Sequence, residues 1–118
     1  QPDMSGHRYG WMSDEYIESL TMVDAEFKKL ISFINSNLSQ NNYLVIITSD
    51  HGGKGYTHGT RLKEHITIPW IAYGKSVKKD YKIQKHIRIY DTAPTILHFL
   101  DIELPAGLDG QVVKEIFN

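Results

Sequence analysis

Tyr43-Leu44-Val45-Ile46-Ile47-Thr48-Ser49-Asp50-His51-Gly52-Gly53 is the stretch on which the fold reading turns. Its first five residues are apolar and rich in β-branched side chains, with no helical spacing. They read as a buried strand, of the kind found in parallel sheets covered on both faces. Asp50 and His51 then stand at the strand's carboxyl end, where open α/β sheets place their ligands. Gly52, Gly53 and Gly55 permit a tight loop that returns His58 towards the same edge. A carboxylate and two imidazoles within nine residues make an oxygen and nitrogen donor set suited to a divalent metal.

Upstream, a long helix is expected to start at Ser13, which can cap free backbone N–H groups, with Asp14 and Glu15 near the positive end of the helix dipole. Ile17, Leu20, Phe27, Leu30, Ile31, Ile34 and Leu38 recur at three- and four-residue spacing and form one apolar stripe. That stripe predicts a helix packed on a sheet. Glu18, Glu26, Lys28 and Lys29 form its solvated face, and the polar residues from Asn35 to Asn42 end it in a turn. The first ten residues carry Gly and Pro punctuation and read as a loop, within which Asp3 and His7 form a D-x3-H pair.

Downstream, Gly59 to His65 lacks a clear period and reads as a loop or short helix. Ile66 to Tyr73 is a second strand candidate in which Pro69 argues for a late start. Lys75, Lys78 and Lys79 turn the chain at the surface, and a further short strand is expected between Ile83 and Ile89. Asp91 is the expected N-cap of another helix, with Pro94 tolerated in its first turn and Ile96, Leu97, Phe99 and Leu100 supplying apolar contacts. Leu104 to Gly110 is a turn-rich loop. Alternating strands and helices, without internal repeats, point to an α/β fold.

Composition narrows the function. The 118 residues suit one domain, and an apolar share of 41% is enough for a real core. A net charge of -1 gives no large field of either sign, which argues against a nucleic-acid or anionic-membrane surface. The absence of cysteine excludes a disulfide framework, a thiolate metal site and a Cys nucleophile. The apolar runs are too short for a membrane span, and there is no signal-peptide pattern.

Four motifs in order carry a family resemblance: Pro2-Asp3-Met4-Ser5-Gly6-His7-Arg8-Tyr9-Gly10, Thr48-Ser49-Asp50-His51-Gly52-Gly53, His58-Gly59, and Tyr90-Asp91-Thr92-Ala93-Pro94-Thr95-Ile96-Leu97. Together with Leu104-Pro105 and Leu108-Asp109-Gly110, they make nearly the whole chain resemble the C-terminal half of the alkaline phosphatase superfamily. The first motif is most similar to nucleotide pyrophosphatase/phosphodiesterases. The resemblance implies an α/β/α sandwich with a mostly parallel central sheet, of which residues 1–118 form the C-terminal portion of a larger hydrolase domain. It also implies two divalent metal ions, zinc by donor type with manganese and iron as alternatives, flanking the phosphoryl group of a small phosphate-ester substrate. Asp50 and His51 would hold the first metal, and Asp3, His7 and His58 the second. The family's nucleophilic Thr or Ser, and a further Asp ligand, lie in an N-terminal half, and neither Thr48 nor Thr60 matches the nucleophile position. The chain alone is therefore expected to have little or no turnover, and an exposed sheet edge favours its self-association. A periplasmic or extracellular setting is implied by the resemblance alone.

The remaining candidates weigh the other way. His65, His86 and His98 read as structural or surface residues, and Lys54 and Arg61, although suited to phosphate, as solvated cations. Trp11, Tyr56, Trp70 and Tyr73 could stack on a nucleobase, but packing explains each of them. Two alternatives to a phosphodiesterase are kept. One is a sulfatase or cofactor-independent phosphomutase relative, and the other is a noncatalytic metal-binding or interaction module.

Overall fold

A computed structural model describes residues 1–118 and contains four α-helices and two strands. The chain forms two compact units, one from Gln1–Asn41 and Ser49–Pro69 and the other from Asn42–Thr48 and Trp70–Asn118. Each is described by itself.

The first unit opens with a helix where a loop was expected. Helix α1 spans Pro2–Tyr9, with proline in its first turn, Asp3 near its positive end, and His7 and Arg8 in its last turn. Gly6 misled the sequence reading, because it serves packing rather than turning. A Cβ at Gly6 would lie 2.7–2.8 Å from the Trp11 indole, so only glycine lets the helix approach that ring. Gly10, at φ 98, ends α1 and donates its N–H to the Gly6 carbonyl. Helix α2, Asp14–Asn37, begins as expected, with the Ser13 side chain accepting from the Tyr16 N–H at 3.2 Å and acidic residues in the first turn. It packs against α1. Its apolar stripe is not buried on a sheet as expected: Ile34 is buried, but Ile17, Leu20, Leu30 and Leu38 remain 42, 40, 49 and 38% exposed. Amphipathic spacing reports a face in need of cover and does not identify the cover. Helix α3, Lys63–Ile66, is a single turn within the returning loop.

The second unit holds the sheet. Strand β1, Leu44–Thr48, pairs with β2, Trp70–Gly74, and the pairing is antiparallel, with Leu44 opposite Gly74 and Thr48 opposite Trp70. Residues 1–118 hold a two-stranded antiparallel sheet, and the expected mostly parallel sheet is not seen in them. A continuous apolar run signals burial, and burial does not set strand direction. β2 starts immediately after Pro69, as the missing N–H suggested. Leu44, Trp70 and Ala72 share one face and pack on the core of Val77, Val113 and Ile116, joined by Ile83, Ile87 and Phe117.

The strand expected between Ile83 and Ile89 does not form. Ile83 and Ile87 reach the core from irregular chain. The Gln84 and Lys85 N–H groups, instead of entering a ladder, donate to the Glu115 carboxylate at 2.9 and 3.2 Å. Helix α4, Thr92–Phe99, follows with Pro94 buried in its first turn. Asp91 occupies the N-cap position but does not cap α4. Its carboxylate accepts from the Arg88 and Gln111 N–H groups, each at 2.8 Å, and so ties the loop before the helix to the last segment. Fully buried Thr95 does similar work, donating its hydroxyl to the Asp91 carbonyl at 2.6 Å and accepting from the Val113 N–H at 3.0 Å. No helix is long and apolar enough to cross a membrane.

Candidate metal centre

All five residues singled out from the sequence, Asp3, His7, Asp50, His51 and His58, lie in the first unit. Asp3 and His7 are four residues apart on α1, so the D-x3-H spacing places both side chains on one helix face. The segment after β1 supplies the others. Lys54 and Thr57 bond each other's backbones across a turn whose Gly55 adopts φ 58, and the reversal returns His58 to His51. The two imidazoles stack with ring centroids 3.6 Å apart and planes at 12°.

Asp3 is the hub. Its Oδ1 lies 3.6 Å from His7 Nε2, 3.7 Å from His51 Nε2 and 3.7 Å from His58 Nε2. Asp50 Oδ2 is 3.6 Å from the same His51 nitrogen. These separations are too long for hydrogen bonds. They match donors converging on a common centre, since ligands about 2.0–2.2 Å from a zinc ion at tetrahedral angles stand about 3.3–3.6 Å apart. Asp3, His7 and His58 offer donor atoms all within 4.8 Å of one another, so this trio could hold one metal ion. Asp50 and His51 adjoin it, with His51 Nε2 3.7 Å from Asp3 Oδ1 and 3.6 Å from Asp50 Oδ2.

The imidazole tautomers are set by backbone carbonyls. His7 Nδ1 lies 3.0 Å from the Tyr56 carbonyl and His51 Nδ1 2.9 Å from the Gly52 carbonyl. A carbonyl can only accept, so both Nδ1 atoms donate, and in the neutral rings the Nε2 atoms facing Asp3 carry the lone pairs. This is the arrangement that orients metal-binding histidines. The His51 N–H also donates to Asp50 Oδ1 at 3.1 Å, which holds that carboxylate beside the ring.

Trp11 walls the group, with its indole edge-on to His7 at 5.0 Å and to His58 at 5.8 Å between ring centroids. The Trp11 backbone N–H donates to the Gly55 carbonyl at 2.7 Å, and a Cβ at Gly53 would fall 2.1 Å from the indole. Trp11 therefore packs, as the sequence suggested. Lys54 is not a bare cation, because it pairs with Glu64 at 2.5 Å and holds the Glu64 carboxyl below the usual carboxylate range. Arg61 is exposed. Trp70 donates to the Thr92 hydroxyl at 3.0 Å within the second unit and is a packing residue. His65 is the residue whose part in this region the sequence did not reveal. It is buried at 2% exposure, with Nδ1 accepting from Thr60.

Comparison with known proteins agrees with the order of these motifs. The profile of the type I phosphodiesterase / nucleotide pyrophosphatase family matches residues 1–97. The chain belongs to that family, whose members are phosphoryl-transferring enzymes of the alkaline phosphatase superfamily, and an alkaline-phosphatase-like α/β fold follows from the membership. Among its relatives is the 2,3-bisphosphoglycerate-independent phosphoglycerate mutase of Antithamnion sp., 33% identical over 115 residues, or 93% of this chain and 21% of that protein. The phosphopentomutase of Clostridium kluyveri is 34% identical over 110 residues, covering 93% of this chain and 27% of the mutase. GPI ethanolamine phosphate transferase 1 of Candida glabrata is 26% identical over 82 residues, 69% of this chain and 9% of the transferase. The chain thus spans about a fifth to a quarter of the two mutases. No solved structure gives a significant match.

Proposed function

We propose that this chain is the metal-binding portion of a hydrolase acting on phosphodiesters or pyrophosphates, with residues 1–118 forming part of a larger hydrolase domain. Asp3, His7 and His58 hold one divalent cation, and Asp50 and His51 contribute to a second. The observation that carries this reading is the convergence of three imidazole Nε2 atoms, at 3.6–3.7 Å, on one oxygen of Asp3. Zinc suits two nitrogens and a carboxylate, and manganese accepts the same set. When bound, two such cations stabilise the attacking and departing oxygens of an in-line displacement and make a coordinated hydroxyl more acidic. The chain's own part is orientation. The Tyr56 and Gly52 carbonyls hold two imidazoles in one tautomer, and Trp11 shields one side of the group. The nucleophilic Thr or Ser implied by the resemblance has no matched position among these residues, so the chain by itself turns over substrate little or not at all.

Calorimetric titration of the 118-residue chain with zinc, beside Asp3→Ala and His58→Ala variants, tests this. One tight equivalent is expected in the parent and is lost in both variants; unchanged binding in both would sink the assignment. The mutases among the relatives favour a second reading, phosphoryl transfer to a sugar or hydroxy-acid oxygen rather than to water. Both readings share the cation site.

A further inference from the structure

We infer that His65 is a positioning residue, fixing the loop that carries His58 against the loop that carries Asp50 and His51. The inference rests on the cation site proposed above. His65 lies on α3, is 2% exposed and touches both loops through different atoms. Its Nδ1 accepts from the Thr60 N–H at 3.2 Å and from the Thr60 hydroxyl at 2.8 Å, two residues beyond His58. Its main-chain carbonyl accepts from the Gly52 N–H at 2.9 Å, one residue beyond His51. Gly52 makes that approach possible, since a Cβ there would lie 2.2 Å from the Glu64 carbonyl oxygen. The Gly52 carbonyl in turn receives the His51 ring N–H. A continuous chain of bonds therefore runs from the His58 loop through His65 to the imidazole of His51.

The state of the ring supports the assignment. An amide N–H can only donate, so Nδ1 is the acceptor and the proton of the neutral ring sits on Nε2. That atom is buried without a hydrogen-bond partner. A buried polar atom left unmatched is unfavourable, and an apolar side chain of similar size would avoid it. Filling the space does not require histidine. What histidine provides and leucine or methionine does not is an acceptor at the Nδ1 position, aimed at Thr60.

The discriminating pair is His65→Leu and His65→Asn in the 118-residue chain. Leucine has no acceptor, whereas the Asn Oδ1 atom can take the Thr60 N–H. Zinc affinity is expected to fall about 10-fold or more in His65→Leu, the range seen when partners of ligating histidines are removed, and to stay within about threefold of the parent in His65→Asn. His65→Met, which also lacks an acceptor at the Nδ1 position but repacks more easily, covers the case in which His65→Leu does not fold. It is expected to weaken zinc binding by about the same factor as leucine, while the metal-free chain still shows a cooperative melt. Parent-like affinity in His65→Leu, or in His65→Met where the leucine variant does not fold, overturns the positioning role while leaving the cation site intact. Failure of Asp3→Ala and His58→Ala to reduce binding removes the site itself, and this inference with it.

Discussion

At the scale of single residues, the glycines decide what is close to what. In an open helix, replacing glycine by alanine stabilises by about 1 kcal/mol. At Gly6 the sign should reverse, because the new methyl meets the Trp11 ring at 2.7–2.8 Å and overpacking of that kind costs about 1–3 kcal/mol. Gly53 lies against the same Cδ2 and Cε2 atoms of the indole, so a methyl at either position must displace the ring. Urea unfolding of Gly6→Ala should show a lower midpoint than the parent. A midpoint equal or higher would mean that Trp11 gives way freely. The three imidazoles that gather around Asp3 were singled out in the sequence, through the D-x3-H pair and the glycine-rich reversal between His51 and His58. The helix under Asp3 was not legible, since a glycine that admits an indole looks the same in sequence as one that breaks a helix. His65, read as structural or surface, is buried and structural, but the atoms that its Nδ1 and carbonyl meet were not legible, since no spacing rule encodes them.

At the scale of elements, side chains hold segments that have no regular structure. Thr95→Val keeps the volume but leaves the buried Val113 N–H without its acceptor, a loss of about 1–3 kcal/mol measurable by denaturant titration. A stability within error of the parent would show that water or a shifted carbonyl replaces Thr95. Glu115 organises the segment expected as a strand. Its carboxyl is held below the usual range, first by the Gln84 N–H and then by the Tyr81 hydroxyl and the Lys85 N–H. A depressed carboxylate contributes stability that is present above its unfolded pKa, about 4.3, and is lost as pH falls through the lower folded value. The Tyr81 hydroxyl, which donates to Glu115, is raised chiefly by that bond, so its contribution is present below about pH 10 and lost as pH rises through the higher folded value. Melting temperatures of Glu115→Gln across pH should therefore differ from the parent most at mid pH and converge with it at both extremes. A constant offset would assign the effect to packing. Helix α2 was legible because caps and periodicity agreed over 24 residues. The 83–89 stretch was not, because Ile83 and Ile87 do reach the core while a distant carboxylate takes the backbone donors.

At the scale of the whole chain, the apolar surface is the remaining feature with a consequence. Along α2, Leu20, Val23, Leu30 and Leu38 stand 38–50% exposed, and on β2 Ile71 and Tyr73 point away from the core at 51 and 37%. Apolar faces of this kind mark interaction surfaces. The isolated chain is therefore expected to associate with itself. Sedimentation velocity should show the weight-average coefficient rising between about 5 and 200 µM, with added salt strengthening the association because apolar contact rather than charge drives it in a molecule of net charge -1. Leu20→Lys combined with Leu30→Lys should lower the association if α2 supplies the contact, and Ile71→Lys if the sheet does. A monodisperse monomer across that range, unchanged by any of these substitutions, would mean that the exposed faces carry no such interaction. Association that shifts with the α2 pair alone would identify the face that amphipathic spacing revealed in the sequence, together with a partner for it that the sequence did not name.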